Sequence, residues 1–155
     1  MQTFLPYPTF EFTAKTLDYR RLGKQRVEGM QIINAIENQT GWQHHPIVRM
    51  WTPYVNALKH YTNIMIDEWV SRGYNNNMTR YDLHREDIVY PAWLGYEPFH
   101  SSHRANLLRK DYKYYSHFDW IDDPKSPYVW LDKDHKRWYK NYTNHPTVPR
   151  VYINE

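Results

Sequence analysis

Arg20, Arg21, Lys24 and Arg26 crowd onto little more than one and a half turns of a single predicted helix. Residues three, four and seven apart share a helix face. Arg21, Lys24, Gln25 and Glu28 therefore line one side, while Leu22, Val27 and Met30 turn towards a core. Such a face suits phosphate or another anionic group. It is also what a solvated charged face looks like. A second constellation is His100, His103 and Arg104 at i, i+3 and i+4, with Arg109 and Lys110 ending the same segment. Two histidines beside an arginine can grip a phosphate or shuttle a proton. A metal is not expected there, because Arg104 repels a cation and no carboxylate stands at ligand spacing.

Two weaker candidates accompany these. His44 and His45, flanked by Trp42 and Arg49, precede Pro46 and a helix start, where outward N–H groups favour anions. Asn144-His145-Pro146 repeats the local form and reads as loop chemistry. The amine of Met1 is the remaining candidate. An α-amino group is a weaker base than a lysine side chain, so more of it is neutral and able to form a Schiff base. There is no P-loop, dinucleotide fingerprint or Gly-x-Ser-x-Gly elbow, and no cofactor is expected.

Composition limits the class. The 155 residues suffice for one domain, 1–155, with a proper core. With no cysteine there is no disulfide, thiolate metal site or cysteine nucleophile. No apolar run approaches the roughly 20 residues that span a bilayer, and no signal-peptide order opens the chain. A cytoplasmic protein without a membrane partner is expected. The net charge of +3 is modest, so a nucleic-acid partner must meet a local patch. Fifteen Tyr and seven Trp serve as core filler, stacking surfaces or interface, and make a homodimer as reasonable as a monomer.

The elements that must position these groups are read as all-α, about three main helices with long irregular connections and room for one short strand pair. Residues 1–12, with Pro6 and Pro8, form an extended arm. The first long helix covers residues 16–38, and Gly23 and Gly29 within it suggest close packing. Residues 41–52 form a loop. Thr52-Pro53 caps a second helix that runs to about Arg72 and stops at Gly73. Its stripe is Tyr54, Leu58, Tyr61, Met65 and Trp69. Pro98 opens a third helix over residues 99–110, and the last forty residues are loop-rich.

In this order the pieces resemble the pyrimidine-dimer DNA glycosylases of the phage endonuclease V type. The likeness reaches to about Phe118. It rests on Tyr19-Arg20-Arg21-Leu22 followed by Arg26-Val27, on Ser71-Arg72-Gly73-Tyr74-Asn75, and on Pro98-Phe99-His100-Ser101-Ser102-His103-Arg104. A divergent bacterial and phage branch is more similar still, sharing the Leu-Gly-Lys-Gln-Arg-Val-Glu and Phe-His-x-Ser-His-Arg phrases. The resemblance implies a helical fold with the amino terminus threaded between helices. It also implies N-glycosidic cleavage in DNA followed by strand scission. There the terminal amine attacks the sugar C1′, a glutamate on the first helix assists proton abstraction, and arginines grip a kinked duplex.

Two departures matter. The family's glutamate follows the Tyr-Arg pair, where this chain has Arg21; Glu28 and Asp18 are the candidate substitutes, although Glu28 lies about 10 Å of helix rise away. Bulky Gln2 implies that Met1 is retained and supplies the amine. The expected function is a glycosylase/lyase acting on a damaged or modified pyrimidine nucleotide. Met1, Glu28 and His103 would be catalytic, and Arg20, Arg21, Lys24, Arg26, His44, His45, His100, Arg104, Arg109 and Lys110 would hold phosphate. The alternative is a non-catalytic protein that binds DNA or sequesters a nucleotide-type ligand. A third reading is a small-nucleotide N-glycosidase using His100 or His103 as acid.

Overall fold

A computed structural model describes residues 1–141 and 150–153. Asn144-His145-Pro146 lies outside the described residues. The chain forms two compact units, the first of residues Met1–Phe4 and Thr9–Leu94, the second of Leu5–Pro8 and Gly95–Glu155.

The first unit is helical. Helix α1 (Phe10–Thr16) occupies part of the expected extended arm and corrects that reading. Nothing in its seven residues announces a helix; its last carbonyls are held from outside, as the Arg72 guanidinium donates to Ala14 O (2.9 Å) and Lys15 O (3.2 Å). Helix α2 (Tyr19–Asn38) starts later than expected, because the Asp18 carboxylate accepts from the Arg21 N–H and caps it. Helix α3 (Pro46–Trp51) replaces the expected loop, with Pro46 in its first turn and the His45 ring accepting from Ile47 N–H. Thr52–Tyr54 is a 3-10 turn rather than a cap, and the Thr52 hydroxyl donates back to Val48 O. Helix α4 (Val55–Ser71) ends at Gly73, whose φ of 91° suits glycine.

The core of this unit lies between α2 and α4. Leu22, Ile32 and Ile33 face Leu58, Tyr61, Met65 and Ile66, with α1 and α3 adding Phe10, Ile47 and Trp51. The buried stripe of α2 is therefore Leu22, Gln25, Gly29 and Ile32, and Val27, expected to be apolar core, is exposed. Gly29 and Gly23 do mark close approach. A Cβ at Gly29 would collide with Thr62 Oγ1, and one at Gly23 would lie 2.9 Å from the Trp69 ring.

The second unit corrects the all-α expectation: the protein is mostly helical but carries a three-stranded antiparallel sheet. Helix α5 (Glu97–Lys110) and the short α6 (Tyr112–Tyr115) precede β1 (Tyr128–Leu131), β2 (Trp138–Asn141) and β3 (Val151–Tyr152). Val129 pairs with Lys140 and Trp130 with Tyr139; Tyr139 pairs in turn with Tyr152. Strand β1 packs on α5, and Val129, Trp130 and Leu131 are all buried. That burial on both faces explains why no alternating pattern is visible. No helix among the described residues is long and apolar enough to cross a membrane.

Candidate functional site

Four predicted residues on α2, namely Arg20, Lys24, Arg26 and Glu28, line one open hollow of about 500 Å³ in the first unit, together with Tyr19, Gly23, Val27, Gln31 and Trp69. Arg26 sits at one flank. Its guanidinium lies 4.4 Å over the Trp69 ring and donates to Asn76 Oδ1 at 2.6 Å. Its Nε is buried without a hydrogen-bond partner among the described residues, and burial lowers the pKa of the group. Arg21 is held apart from these, ion-paired with Asp18 at 3.2 Å. Asp18 is thus committed to capping α2 and to Arg21, which leaves Glu28 as the carboxylate at the hollow.

Glu28 is also linked to the chain start. The Gln25 side chain is 1% exposed, and its Nε2 donates both to Glu28 Oε2 (2.9 Å) and to Gln2 O (3.0 Å). Its Oε1 accepts from Phe4 N–H (2.9 Å) and from the Tyr61 hydroxyl (2.7 Å). Every donor and lone pair of that amide is used. The single Tyr61 O–H proton is shared between Gln25 Oε1 and Phe4 O, which lies 2.8 Å from the hydroxyl. Burial, and then the negative charge of Glu28, raises the Tyr61 pKa well above its ordinary value, so this phenol stays a donor. Trp51 Nε1–H donates to Thr3 Oγ1 at 2.9 Å. Gln2 and Phe4 are thus fastened through their backbones and Thr3 through its hydroxyl, and Gln2 Nε2 remains buried without a partner among the described residues. His45 belongs to this region as well: burial first, and the Met1 ammonium second, lower its pKa. The neighbouring His44 is exposed.

Sequence reasoning placed Gln25 on the polar side of α2 and missed its role. The signal was available, because a glutamine in register with Leu22, Gly29 and Ile32 interrupts an apolar stripe and must be satisfied internally. Trp69, expected in the core of α4, instead contributes to the hollow.

In the second unit His100, His103 and Arg104 do share one face of α5, and that face is spent on the Leu5–Pro8 segment. Leu5 N–H donates to His103 Nδ1 at 2.9 Å. Gly95 N–H donates to His100 Nε2 at 2.9 Å, which fixes the proton on His100 Nδ1, bonded to Leu5 O at 2.7 Å. Arg104 donates to Pro6 O at 2.8 Å and pairs with Asp122 (2.9 Å) and Glu97. Both histidines are fully buried. Arg109 donates to Ser126 O at 3.2 Å, and Lys110 is exposed at the end of α5.

Burial depresses both histidine pKa values, His103 well below 6.5, with the His100 and Arg104 charges adding to the His103 effect. Arg104 also lowers His100, whereas the Leu5 carbonyl and Glu97 oppose the change. Both rings resist protonation in the folded state and protonate freely when unfolded. Their stabilisation is complete above the ordinary histidine value of about 6.5 and is lost as pH falls below it, by up to about 1.4 kcal/mol per pH unit per ring. Urea midpoints compared between pH 7.5 and pH 5.5 should fall less steeply for His103→Asn, which keeps an acceptor for Leu5 N–H but cannot titrate. Parallel pH profiles would contradict the assignment.

A family model described as pyrimidine dimer DNA glycosylase matches residues 1–82, more than half of the chain. No curated protein and no solved structure matches.

Proposed function

This chain belongs to the pyrimidine dimer DNA glycosylase family, and we propose that its first unit performs glycosylase and lyase chemistry on a damaged or modified pyrimidine nucleotide in DNA. The observation that carries this reading is the Gln25 amide, which ties the Gln2 carbonyl and the Glu28 carboxylate to one side chain. A chain start and an acid/base group are what imine chemistry at a sugar needs.

In this reading the Met1 amine attacks C1′ of the deoxyribose. The N–C1′ bond forms as the bond from C1′ to the base breaks, and the base leaves with a proton. A proton from solvent reaches O4′ as the C1′–O4′ bond opens, which gives a 4′-hydroxyl and an iminium on the Met1 nitrogen. Glu28 then takes a proton from C2′, the C3′–O bond breaks, and the phosphate leaves with its electron pair, which nicks the strand. Water hydrolyses the imine and frees the amine. Arg20 and Lys24, on the rim of the hollow, meet the flanking phosphates, and Arg21 supports them from its pair with Asp18. His103 and His100 take no step in this scheme; they anchor Leu5.

Borohydride trapping tests the proposal. A duplex containing an abasic site, incubated with the protein and reductant, should yield a covalent adduct whose peptide maps to Met1, and acetylating the amine should abolish it. The competing reading is a binder without chemistry, favoured by Arg21 standing where the family places its glutamate. It is supported instead if neither an abasic nor a pyrimidine-dimer duplex is trapped or nicked although both are bound.

A further inference from the structure

Beside the hollow, three aromatic rings of the first unit form a ladder. Trp69 and Tyr74 stack at 4.3 Å with their planes 25° apart, and Tyr74 and Tyr19 follow at 6.0 Å and 24°. The inner end is anchored. Arg26 covers Trp69, the Trp69 indole N–H donates to Asn75 O at 2.7 Å, and Gly23 admits the ring against α2. The outer end is open, with Tyr19 48% and Tyr74 40% exposed. Rings that merely fill a core are covered on all sides, whereas this stack opens beside cations. Tyr19 lines the hollow together with Arg20 and Lys24, and the Arg20 guanidinium lies 5.7 Å over the Tyr19 ring.

We propose that this ladder is a stacking platform for an unpaired base of single-stranded DNA. The base lies on the exposed face of Tyr19, and Arg20 leaves the Tyr19 hydroxyl, to which its Nε–H donates at 3.0 Å, and moves with Lys24 onto the adjoining phosphates. An aromatic face accepts any base, and the cations follow the backbone, which is how sequence-tolerant single-strand sites work. A paired base, with its faces occupied by its neighbours, cannot use the platform. The proposal rests on reading the α2 hollow as a DNA-binding surface, and adds an unpaired strand to the duplex that surface takes in the proposed reaction.

The test uses the full chain and an oligonucleotide with one central 2-aminopurine, either single-stranded or fully paired. Binding the single strand should quench the 2-aminopurine fluorescence. Tyr19→Ala should weaken single-strand binding by about 10-fold, the range of one lost base stack, and remove the quenching. Tyr19→Phe should keep the quenching and the single-strand affinity, and Tyr19→Ala should weaken single-strand binding at least about fivefold more than duplex binding. The platform is refuted if the unaltered protein gives no quenching. It is equally refuted if Tyr19→Ala binds the single strand normally or loses both DNA forms alike, or if Tyr19→Phe is as weak as Tyr19→Ala. Quenching without borohydride trapping would keep the platform and remove the catalytic scheme; trapping without quenching would do the reverse.

Discussion

Glu28→Gln should lower strand cleavage at an abasic site by about 100- to 10,000-fold, the usual contribution of a positioned acid/base group, while leaving DNA bound. The substitution is nearly isosteric. Its amide oxygen still accepts from Gln25 Nε2, so the fastening of Gln2 and Phe4 to Gln25 survives. What disappears is the ability to take the C2′ proton. Imine formation precedes that step, so the variant should still be trapped by borohydride while failing to nick. Removing a negative charge from a hollow lined by Arg20, Lys24 and Arg26 should leave phosphate affinity unchanged or tighter. Gel-based nicking rates, set beside trapping yields and DNA titrations on the same preparation, measure all three. A Glu28→Gln protein that nicks at the normal rate would remove Glu28 from the mechanism.

Gln25→Leu should be the most destabilising change at the site. The leucine fits a stripe that already holds Leu22, Gly29 and Ile32, so packing loss is small. The polar cost is large. Phe4 N–H and Gln2 O lose the partners they have in Gln25, and Glu28 loses a donor. Each buried group left unsatisfied costs about 1–3 kcal/mol, so two give a loss of about 2–6 kcal/mol. Tyr61 keeps its bond to Phe4 O, which limits the damage. In a chain of this size a loss of that order lowers the melting temperature by roughly 5–15 °C. Thermal unfolding followed by circular dichroism reads it directly. Because the same amide holds the chain start, borohydride trapping should fall as well, even at temperatures where the variant is folded. A Gln25→Leu protein with an unchanged melting temperature would show that the four hydrogen bonds carry no net stability.

The elements that were legible are those whose ends and faces are written locally. Helices α2, α4 and α5 are long enough to show a period, and α4 and α5 carry a limit signal each, Gly73 after α4 and the proline in the first turn of α5. The close approach implied by Gly23 and Gly29 was legible for the same reason. What stayed hidden depends on partners distant in the chain. Helix α1 is held by Arg72, fifty-eight residues beyond Ala14. Strand β1 is buried on both faces and so shows no alternation.

The candidate site divides along the same line. Helical spacing placed Arg21, Lys24, Gln25 and Glu28 on one side of α2, because a helix fixes the neighbours of its own residues whatever surrounds it; of these only Lys24 and Glu28 line the hollow, where Arg20 and Arg26 join them. Tertiary structure alone decided that Gln25 is a buried connector to Gln2 and Phe4 and that His100 and His103 hold Leu5. A hydrogen bond is a choice among partners, and the partners of these groups are supplied by segments that come near only when the chain has folded.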